Sequence, residues 1–362
     1  MSHQQRVPAG SDPSRRLFVR TAVGAMAAMP LAALLGQQAG AAEPLLTGSG
    51  DQTYRVEHDW LKPPAGLAWG DTHGLAQDSA GRIYVSHTVH ASSEKKDAIL
   101  VFDRDGKFIA SWGDRFAGGG HGLDVRKEGA EEFLYHCDVN RRRLAKTKLD
   151  GTLVWEVGAP VAAKLGQTNC YANENDWNPT NVAFAPAGDG DVFVGDGYGK
   201  SFVHRFNKDG EWKSTLAGPG ADKGQVSCPH GLWLDERGSV AKEPVLAVAD
   251  RANRRIQHFS LDGKHLGFVT AGMRQPCHFK TRGDLLLVPD LSSVVTILDK
   301  SNAVVTHLGD GDPTNLRDAP REKFIPGKFV HPHTAIWLDD GSILVAEWVP
   351  IGRITRLVRT KR

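Results

Sequence analysis

The chain has 362 residues, of which 40% are hydrophobic and 24% are charged, proportions that are ordinary for a soluble globular protein. Its 44 basic and 42 acidic residues give a formal net charge of +2, so charge provides no reason to expect a nucleic-acid partner. A chain of this length is compatible with one large domain or with two ordinary ones.

The first 42 residues have the features of an export signal. A twin-arginine motif, SRRLFVR, occupies residues 14–20, and a moderately apolar stretch follows at residues 21–35. Ala39-Gly40-Ala41 then offers a cleavage site before Ala42. The apolar stretch is too short to span a bilayer, which needs about 20 apolar residues. We therefore expect the Tat export machinery to place a mature chain, without a stable membrane span, in the periplasm or outside the cell; an uncleaved anchor is the alternative.

A short phrase recurs six times after this segment, and four of its copies carry a histidine at one equivalent position. The equivalent positions are His73, His121, Thr180, His230, Cys277 and His333. Their spacing of 47 to 59 residues fits propeller blades of about 40–50 residues with loop insertions. A second apolar strand follows each phrase, and Asp-Gly pairs such as Asp105-Gly106 indicate hairpin turns.

This repeat predicts an all-β fold, a six-bladed β-propeller in which residues 43–362 form a single domain. The sixth blade is one strand short, whereas residues 53–59 precede the first phrase and have no blade of their own. We expect them to supply the outermost strand of the sixth blade. Such closure removes the open strand edges that invite aggregation.

The first strand of each propeller blade lines the central channel, so the six equivalent positions should form a ring around the axis. Histidines that converge on one point can make a metal site. The alternative is that these histidines only satisfy backbone groups in the channel. Four cysteines in an oxidising compartment could also pair, and the sequence leaves open a Cys170–Cys228 disulfide.

Three stretches carry a family resemblance: residues 178–198, residues 228–257 and Pro332-His333. The chain resembles the NHL-repeat six-bladed propellers, and among them the peptidyl-α-hydroxyglycine α-amidating lyases. The resemblance implies a catalytic zinc held by three histidines on alternate blades, which correspond to His121, His230 and His333.

The same resemblance places a catalytic tyrosine at Tyr198 and an arginine beside it at Arg251. Three imidazoles with an open position are the usual form of a catalytic zinc, although imidazole sites also accept copper, iron or nickel. A tyrosine, with an ordinary pKa of about 10, needs a nearby cation such as Arg251 to act as a base.

The chain departs from the lyase pattern at three positions. The arginine that grips the substrate carboxylate corresponds to Thr88, the calcium-binding acidic residue after the third histidine corresponds to Thr334, and a disulfide partner corresponds to Gly199. Substrate recognition and a calcium ion therefore do not follow from the resemblance. The candidates for a layer around the metal are His73, Thr88, Cys277 and Thr334.

Several other polar residues are better interpreted as architecture. Recurrent acids at the ends of second strands usually hold turns in propellers, and a buried thiol is the favoured reading of Cys277. The acids are Asp196, Asp250 and Asp290, and the neighbouring histidines interpreted in the same way are His87, His90 and His331.

The sequence favours an exported, monomeric, metal-dependent lyase or hydrolase that acts on a small-molecule or peptide-derived substrate bearing a hydroxyl, such as a peptidyl-α-hydroxyglycine. A lactonase-like hydrolase is one alternative, but its calcium is held by carboxylates and asparagines, and acids are scarce at the ring positions. A non-catalytic NHL scaffold that binds a peptide, glycan or protein on one propeller face is the other.

Overall fold

The computed structural model describes residues 43–161, 170–186, 190–311 and 316–360, and the expected export signal lies outside these ranges. Pro44–Arg362 forms one compact unit, and nearly all of its regular secondary structure is β-strand. Its short 3-10 helices within the described ranges are Asp114–Phe116, Glu174–Asp176 and Arg321–Lys323. No described helix is long and apolar enough to cross a membrane.

The strands form six sheets in the described ranges, and each sheet is one blade of a propeller. Two strands precede the first blade: β1 (Leu46–Ser49) and β2 (Gln52–Glu57). Blade 1 contains β3 (Thr72–Gln77), β4 (Ile83–His87), β5 (Ile99–Phe102) and β6 (Phe108–Trp112). Blade 2 contains β7 (Gly120–Glu128), β8 (Glu131–Asp138), β9 (Arg143–Lys148) and β10 (Leu153–Val157).

The remaining blades repeat this plan. Blade 3 contains β11 (Asn181–Phe184), β12 (Val192–Gly195), β13 (Val203–Phe206), β14 (Trp212–Pro219) and a short parallel strand, β15 (Gln225–Val226). Blade 4 contains β16 (Pro229–Asp235), β17 (Val245–Asp250), β18 (Arg255–Phe259) and β19 (His265–Val269). Blade 5 contains β20 (Lys280–Arg282), β21 (Leu285–Asp290), β22 (Val294–Leu298) and β23 (Val304–Leu308). Blade 6 contains β24 (Pro332–Trp337), β25 (Ile343–Glu347) and β26 (Arg353–Arg359).

The six-bladed all-β prediction is confirmed, and the Asp-Gly signals explain the hairpins between the third and fourth strands. The turn glycines adopt the left-handed conformation that glycine tolerates best. Their φ values are 81° at Gly106, 90° at Gly151, 84° at Gly210 and 96° at Gly263. Each such turn returns the chain toward the outer edge of its blade.

The ring closes through the N-terminal strands, as predicted. β2 pairs antiparallel with β26, with Tyr54 opposite Arg359 and Glu57 opposite Arg356. One detail of the prediction was wrong, because β2 is not the outermost strand: β1 pairs with its outer edge and makes a fifth strand of blade 6. The tight turn through Gly50, at φ 54°, folds this short segment back onto β2.

The apolar cores lie between neighbouring blades rather than at one centre. Leu100 of blade 1 packs in one cluster with Leu344 of blade 6, and Tyr135 of blade 2 packs in another with Val194 of blade 3. Since apolar burial is what holds the blades together, the axis is left to the first strands and to the polar side chains that they carry.

Candidate metal centre

The six ring positions all lie in the interior, at the start of the first strands. Each of these residues is at most 5% exposed: His73, His121, Thr180, His230, Cys277 and His333. The glycine after the histidine explains this close approach, because a Cβ at Gly122 would lie 2.3 Å from the carbonyl oxygen of Thr180 on the next blade. At Gly231 the corresponding distance, to the carbonyl oxygen of Cys277, is 2.2 Å. The His-Gly pair therefore lets neighbouring first strands touch.

Three of the histidines are anchored in the same way: Nδ1 of each contacts the backbone carbonyl of the residue at the equivalent position of the next blade. The three contacts are His121 to Thr180 at 2.8 Å, His230 to Cys277 at 2.9 Å and His333 to His73 at 3.3 Å. A carbonyl oxygen only accepts, so each Nδ1 carries the proton and each Nε2 keeps its lone pair. A hydrogen bond from Nδ1 is how proteins orient a histidine that ligates a metal through Nε2.

The free Nε2 atoms converge near the axis. Those of His121 and His333 are 3.1 Å apart. The ring centroid of His230 lies 5.0 Å from that of His121 and 4.7 Å from that of His333. Two lone pairs cannot hydrogen-bond to each other, so this contact calls for a cation. A tetrahedral zinc with Zn–N of about 2.0–2.1 Å separates its ligand nitrogens by about 3.3 Å, which the spacing fits.

A fourth imidazole joins the cluster from blade 1. Nδ1 of His73 is 3.3 Å from Nε2 of His333. One ligand nitrogen from each of His73, His121 and His333 lies within 4.8 Å of the others, so these three histidines could hold a metal ion. This group shares His121 and His333 with the sequence hypothesis and adds His73, whereas His230 lies beside it by the ring distances given above.

Burial keeps these imidazoles neutral. It lowers the pKa of His121 to about 3, and the charge of Arg251 contributes in the same direction. The pKa values of His230 and His333 also fall well below the ordinary 6.5, again chiefly through burial. A neutral imidazole is the form that ligates a metal, so the cluster is ready to bind at neutral pH.

Tyr198 reaches the cluster from the loop after β12. Its hydroxyl lies 3.2 Å from Nε2 of His121 and 3.1 Å from Nε2 of His230. The loop is held by Asp196, whose carboxylate accepts the backbone N–H groups of Asn178 at 2.6 Å and Lys200 at 2.7 Å. Asp196 therefore acts on the site by fixing the loop that presents the tyrosine.

Arg251 lies against Tyr198, as the sequence hypothesis requires. Its Nη1 atom is 3.4 Å from the phenol oxygen, and its guanidinium carbon is 5.2 Å from the ring centroid. Burial raises the pKa of Tyr198 above its ordinary value of 10, and Arg251 opposes that rise without cancelling it. Arg251 therefore favours the phenolate, as expected from its charge, but desolvation is the larger effect and keeps Tyr198 in its phenol form at neutral pH.

Thr88, which stands where the lyases have an arginine, belongs to a group of contacts that does include an arginine, Arg317. Thr88 Oγ1 accepts the backbone N–H of Asp71 at 2.9 Å, and the Asp71 carboxylate pairs with Arg317 at 2.7 Å. The guanidinium of Arg317 also stacks 3.9 Å from the ring centroid of Trp348. Sequence reasoning missed Arg317, which comes from the long connection between β23 and β24. The length of that connection was the only signal for it.

The other family positions fit neither a calcium ion nor a disulfide. Thr334 offers a buried neutral hydroxyl, whereas calcium sites are built around carboxylates. A Cβ at Gly199 would lie 2.1 Å from Oδ1 of Asp196, so no cysteine fits there. Among the described cysteines, Cys137, Cys228 and Cys277 are free thiols, so the Cys170–Cys228 disulfide is not formed.

The residues interpreted as architecture do hold turns. Asp250 accepts the backbone N–H of Ser227 at 2.7 Å, and Asp290 accepts that of Gln275 at 2.7 Å. His87 Nδ1 accepts the backbone N–H of Gly70 at 3.1 Å. The other two histidines make similar local contacts: His331 Nδ1 lies 2.6 Å from Leu291 O, and His90 Nδ1 lies 2.7 Å from Ser92 Oγ.

An ion pair crosses the channel below the histidines. Asp124, which is 2% exposed, lies three residues after His121, and Lys280 lies three residues after Cys277. Their charged atoms are 3.3 Å apart, and the ammonium is 4.3 Å from the ring centroid of Trp233. At about 3.3 Å per strand residue, the pair lies about 10 Å from the ring positions along the first strands.

Replacing Lys280 with methionine should destabilise the fold, because it leaves the Asp124 carboxylate buried and unpaired. Breaking a fully buried pair costs about 3–5 kcal/mol, and we expect about 2 kcal/mol because the Lys280 side chain is 24% exposed. Urea unfolding of Lys280→Met at neutral pH measures this loss. The double variant Asp124→Asn/Lys280→Met should recover most of it; equal losses in both variants would show that the pair is not the cause.

The sequence is similar to those of known amidating enzymes. No family model matches the chain. Peptidylglycine α-amidating monooxygenase from Rattus norvegicus is 29% identical over 242 residues, which are 60% of this chain and 23% of the rat protein. Peptidyl-α-hydroxyglycine α-amidating lyase 1 from Drosophila melanogaster is 25% identical over 239 residues, 58% of this chain and 41% of the fly protein. The chain is a six-bladed propeller homologous to amidating enzymes. The match spans less than half the length of each of these relatives.

Solved structures agree on the fold. A streptogramin B lyase superposes with a TM-score of 0.55 at 12% identity, covering 85% of this chain and 98% of the lyase. Virginiamycin B lyase from Staphylococcus aureus gives a TM-score of 0.54 at 12% identity, with 84% and 99% coverage. At such low identity these similarities bear on architecture alone.

Proposed function

We propose that this protein is an exported, metal-dependent lyase of the amidating type, which cleaves the C–N bond of a small hydroxylated substrate such as a peptidyl-α-hydroxyglycine. The observation that carries the proposal is the contact between the lone-pair nitrogens of His121 and His333, 3.1 Å apart, with the Tyr198 hydroxyl beside them. A structural role for these histidines would not need two acceptors to face each other.

The ligands of the ion would include His121, His230 and His333, each with Nδ1 anchored and Nε2 free. Zinc bound there would supply a Lewis acid for the substrate hydroxyl. The Asp124–Lys280 ion pair lies farther along the first strands, and Tyr198 and Arg251 lie at the end where those strands begin, so the substrate would approach from the side of Tyr198 and Arg251. Export through the Tat machinery remains part of the proposal, since it rests on residues 14–42 alone.

Tyr198 would move the protons of the reaction. Cleavage of a carbinolamide breaks the C–N bond, turns the hydroxyl carbon into a carbonyl and leaves an amide nitrogen that needs a proton. Since Tyr198 is a phenol at neutral pH, it can give its proton to the departing nitrogen while it takes the proton of the substrate hydroxyl. Arg251, 3.4 Å from the phenol oxygen, would stabilise negative charge that develops on it during this exchange.

Metal analysis combined with an activity assay tests this proposal. Protein exported natively should contain about one transition-metal ion per chain and should convert a short peptidyl-α-hydroxyglycine into the peptide amide. Chelation should abolish turnover, and added zinc should restore it. A metal-free protein, or a metal-containing protein without turnover of any carbinolamide, would contradict it and favour a binding scaffold.

A further inference from the structure

His73 is oriented differently from the other three histidines of the cluster. If it followed their pattern, its Nδ1 would donate to the carbonyl of His121 on the next blade. The hydroxyl of Ser86 stands there instead, donating to that carbonyl at 2.6 Å. Ser86 is itself fixed by the backbone N–H of Gly74 at 2.9 Å. The imidazole of His73 therefore lacks the usual anchor and turns its Nδ1 toward His333, 3.3 Å away.

This contact cannot survive metal binding as a hydrogen bond. Nδ1 of His333 donates to the carbonyl of His73, so Nε2 is the only acceptor that His333 has. Once that lone pair binds an ion, it can no longer accept a proton from His73. His73 is 5% exposed, so it has little water to turn to, and a buried nitrogen without a partner is unfavourable. Ligation of the same ion by Nδ1, with the ring proton moved to Nε2, gives Nδ1 a partner again.

We propose that His73 is a fourth ligand of the metal ion, bound through Nδ1, whereas His121, His230 and His333 bind through Nε2. This inference rests on the metal site of the proposed function and adds blade 1 to it. Ring packing agrees, because the centroid of His73 lies 4.6 Å from that of His121 and 4.5 Å from that of His333. The ion would then be held by four neutral nitrogens, and the substrate hydroxyl of the proposed function would bind as a fifth ligand; the set suits zinc, copper or nickel.

The test is the effect of His73→Ala on metal affinity and on ligand number. Competition with a chromophoric chelator should show zinc affinity reduced by more than the 10–100-fold that loss of an outer partner of a ligand typically costs. The visible spectrum of the cobalt-substituted protein should also change in band position and intensity, because cobalt absorption reports the number of ligands. X-ray absorption of the zinc form should give four imidazoles in the parent and three in the variant.

Two comparison variants separate the possible results. His265→Ala removes a histidine from the outer strand β19 and should leave affinity and spectrum unchanged. His230→Ala should lose metal if the proposed function is right. A His73→Ala protein with the parent's affinity and spectrum, beside a metal-poor His230→Ala protein, would overturn the fourth ligand and leave the proposed function standing. A parent protein that binds no metal would overturn both.

Folding of the variant is checked separately. His73→Asn retains an amide near the position of Nδ1 and can still donate to His333, so it should fold at least as well as His73→Ala. If melting curves of the metal-free proteins coincide while His73→Asn also binds zinc weakly, the loss is one of ligation. Full zinc affinity in His73→Asn would instead assign His73 a hydrogen-bonding role and overturn the proposal.

Discussion

Tyr198→Phe is expected to lower kcat by about 10²–10⁴-fold while zinc content stays at the parent level. The phenol hydroxyl is the group that lies within 3.2 Å of both His121 and His230, and phenylalanine keeps the ring that Arg251 packs against. The change therefore removes proton transfer and leaves the local packing. Steady-state kinetics on a peptidyl-α-hydroxyglycine, with metal analysis of the same sample, measure both effects.

The control for Tyr198→Phe is Tyr84→Phe. Tyr84 also carries a hydrogen-bonded hydroxyl, 2.9 Å from Oδ2 of Asp78, but it belongs to β4 of blade 1 and makes no contact with the imidazole cluster. Its loss should leave kcat unchanged. If Tyr198→Phe retains more than about a tenth of the parent's kcat, which is well above the range for loss of an acid–base group, Tyr198 is not the proton-transfer residue.

The architecture could be read from the sequence because the same short pattern specifies every blade. Neighbouring first strands must nearly touch, which only glycine permits after the ring position in several blades, as Gly122 and Gly231 show. The Asp-Gly turns mark hairpins without reference to tertiary contacts. Closure by β2 followed from counting strands. β1 was missed since its four residues carry no alternation that distinguishes a strand from a loop.

The site was only partly predictable. The ring positions follow from the repeat, but the roles of Tyr198 and Arg251 came from a resemblance, because a loop tyrosine has no periodic signal. Arg317 was out of reach, since its partner Asp71 is 246 residues away and no local pattern links them. The orientation of His73 depends on the hydroxyl of Ser86, which donates to the carbonyl of His121. The equivalent carbonyls that His121, His230 and His333 contact accept from histidine Nδ1 instead.

His121→Ala is expected to remove the bound metal and with it all measurable activity, the largest functional effect of any single change. His121 is the histidine that contacts both His333, at 3.1 Å, and the Tyr198 hydroxyl, at 3.2 Å. The variant should still fold, because the ring is closed by β2 on β26 and by cores between blades. We expect a stability loss of about 1–3 kcal/mol from the carbonyl of Thr180, which loses its donor.

Rescue by a small molecule separates loss of a ligand from damage to the fold. His121→Gly leaves a space of imidazole shape beside Tyr198, so imidazole added with zinc should restore part of the metal binding and turnover. The same addition should do nothing for Tyr198→Phe, whose ligands are intact. If metal binding returns but turnover does not, His121 acts on Tyr198 as well as on the ion. If His121→Ala holds stoichiometric zinc before any addition, His121 is not a ligand, and the 3.1 Å contact between His121 and His333 is no longer evidence for a cation.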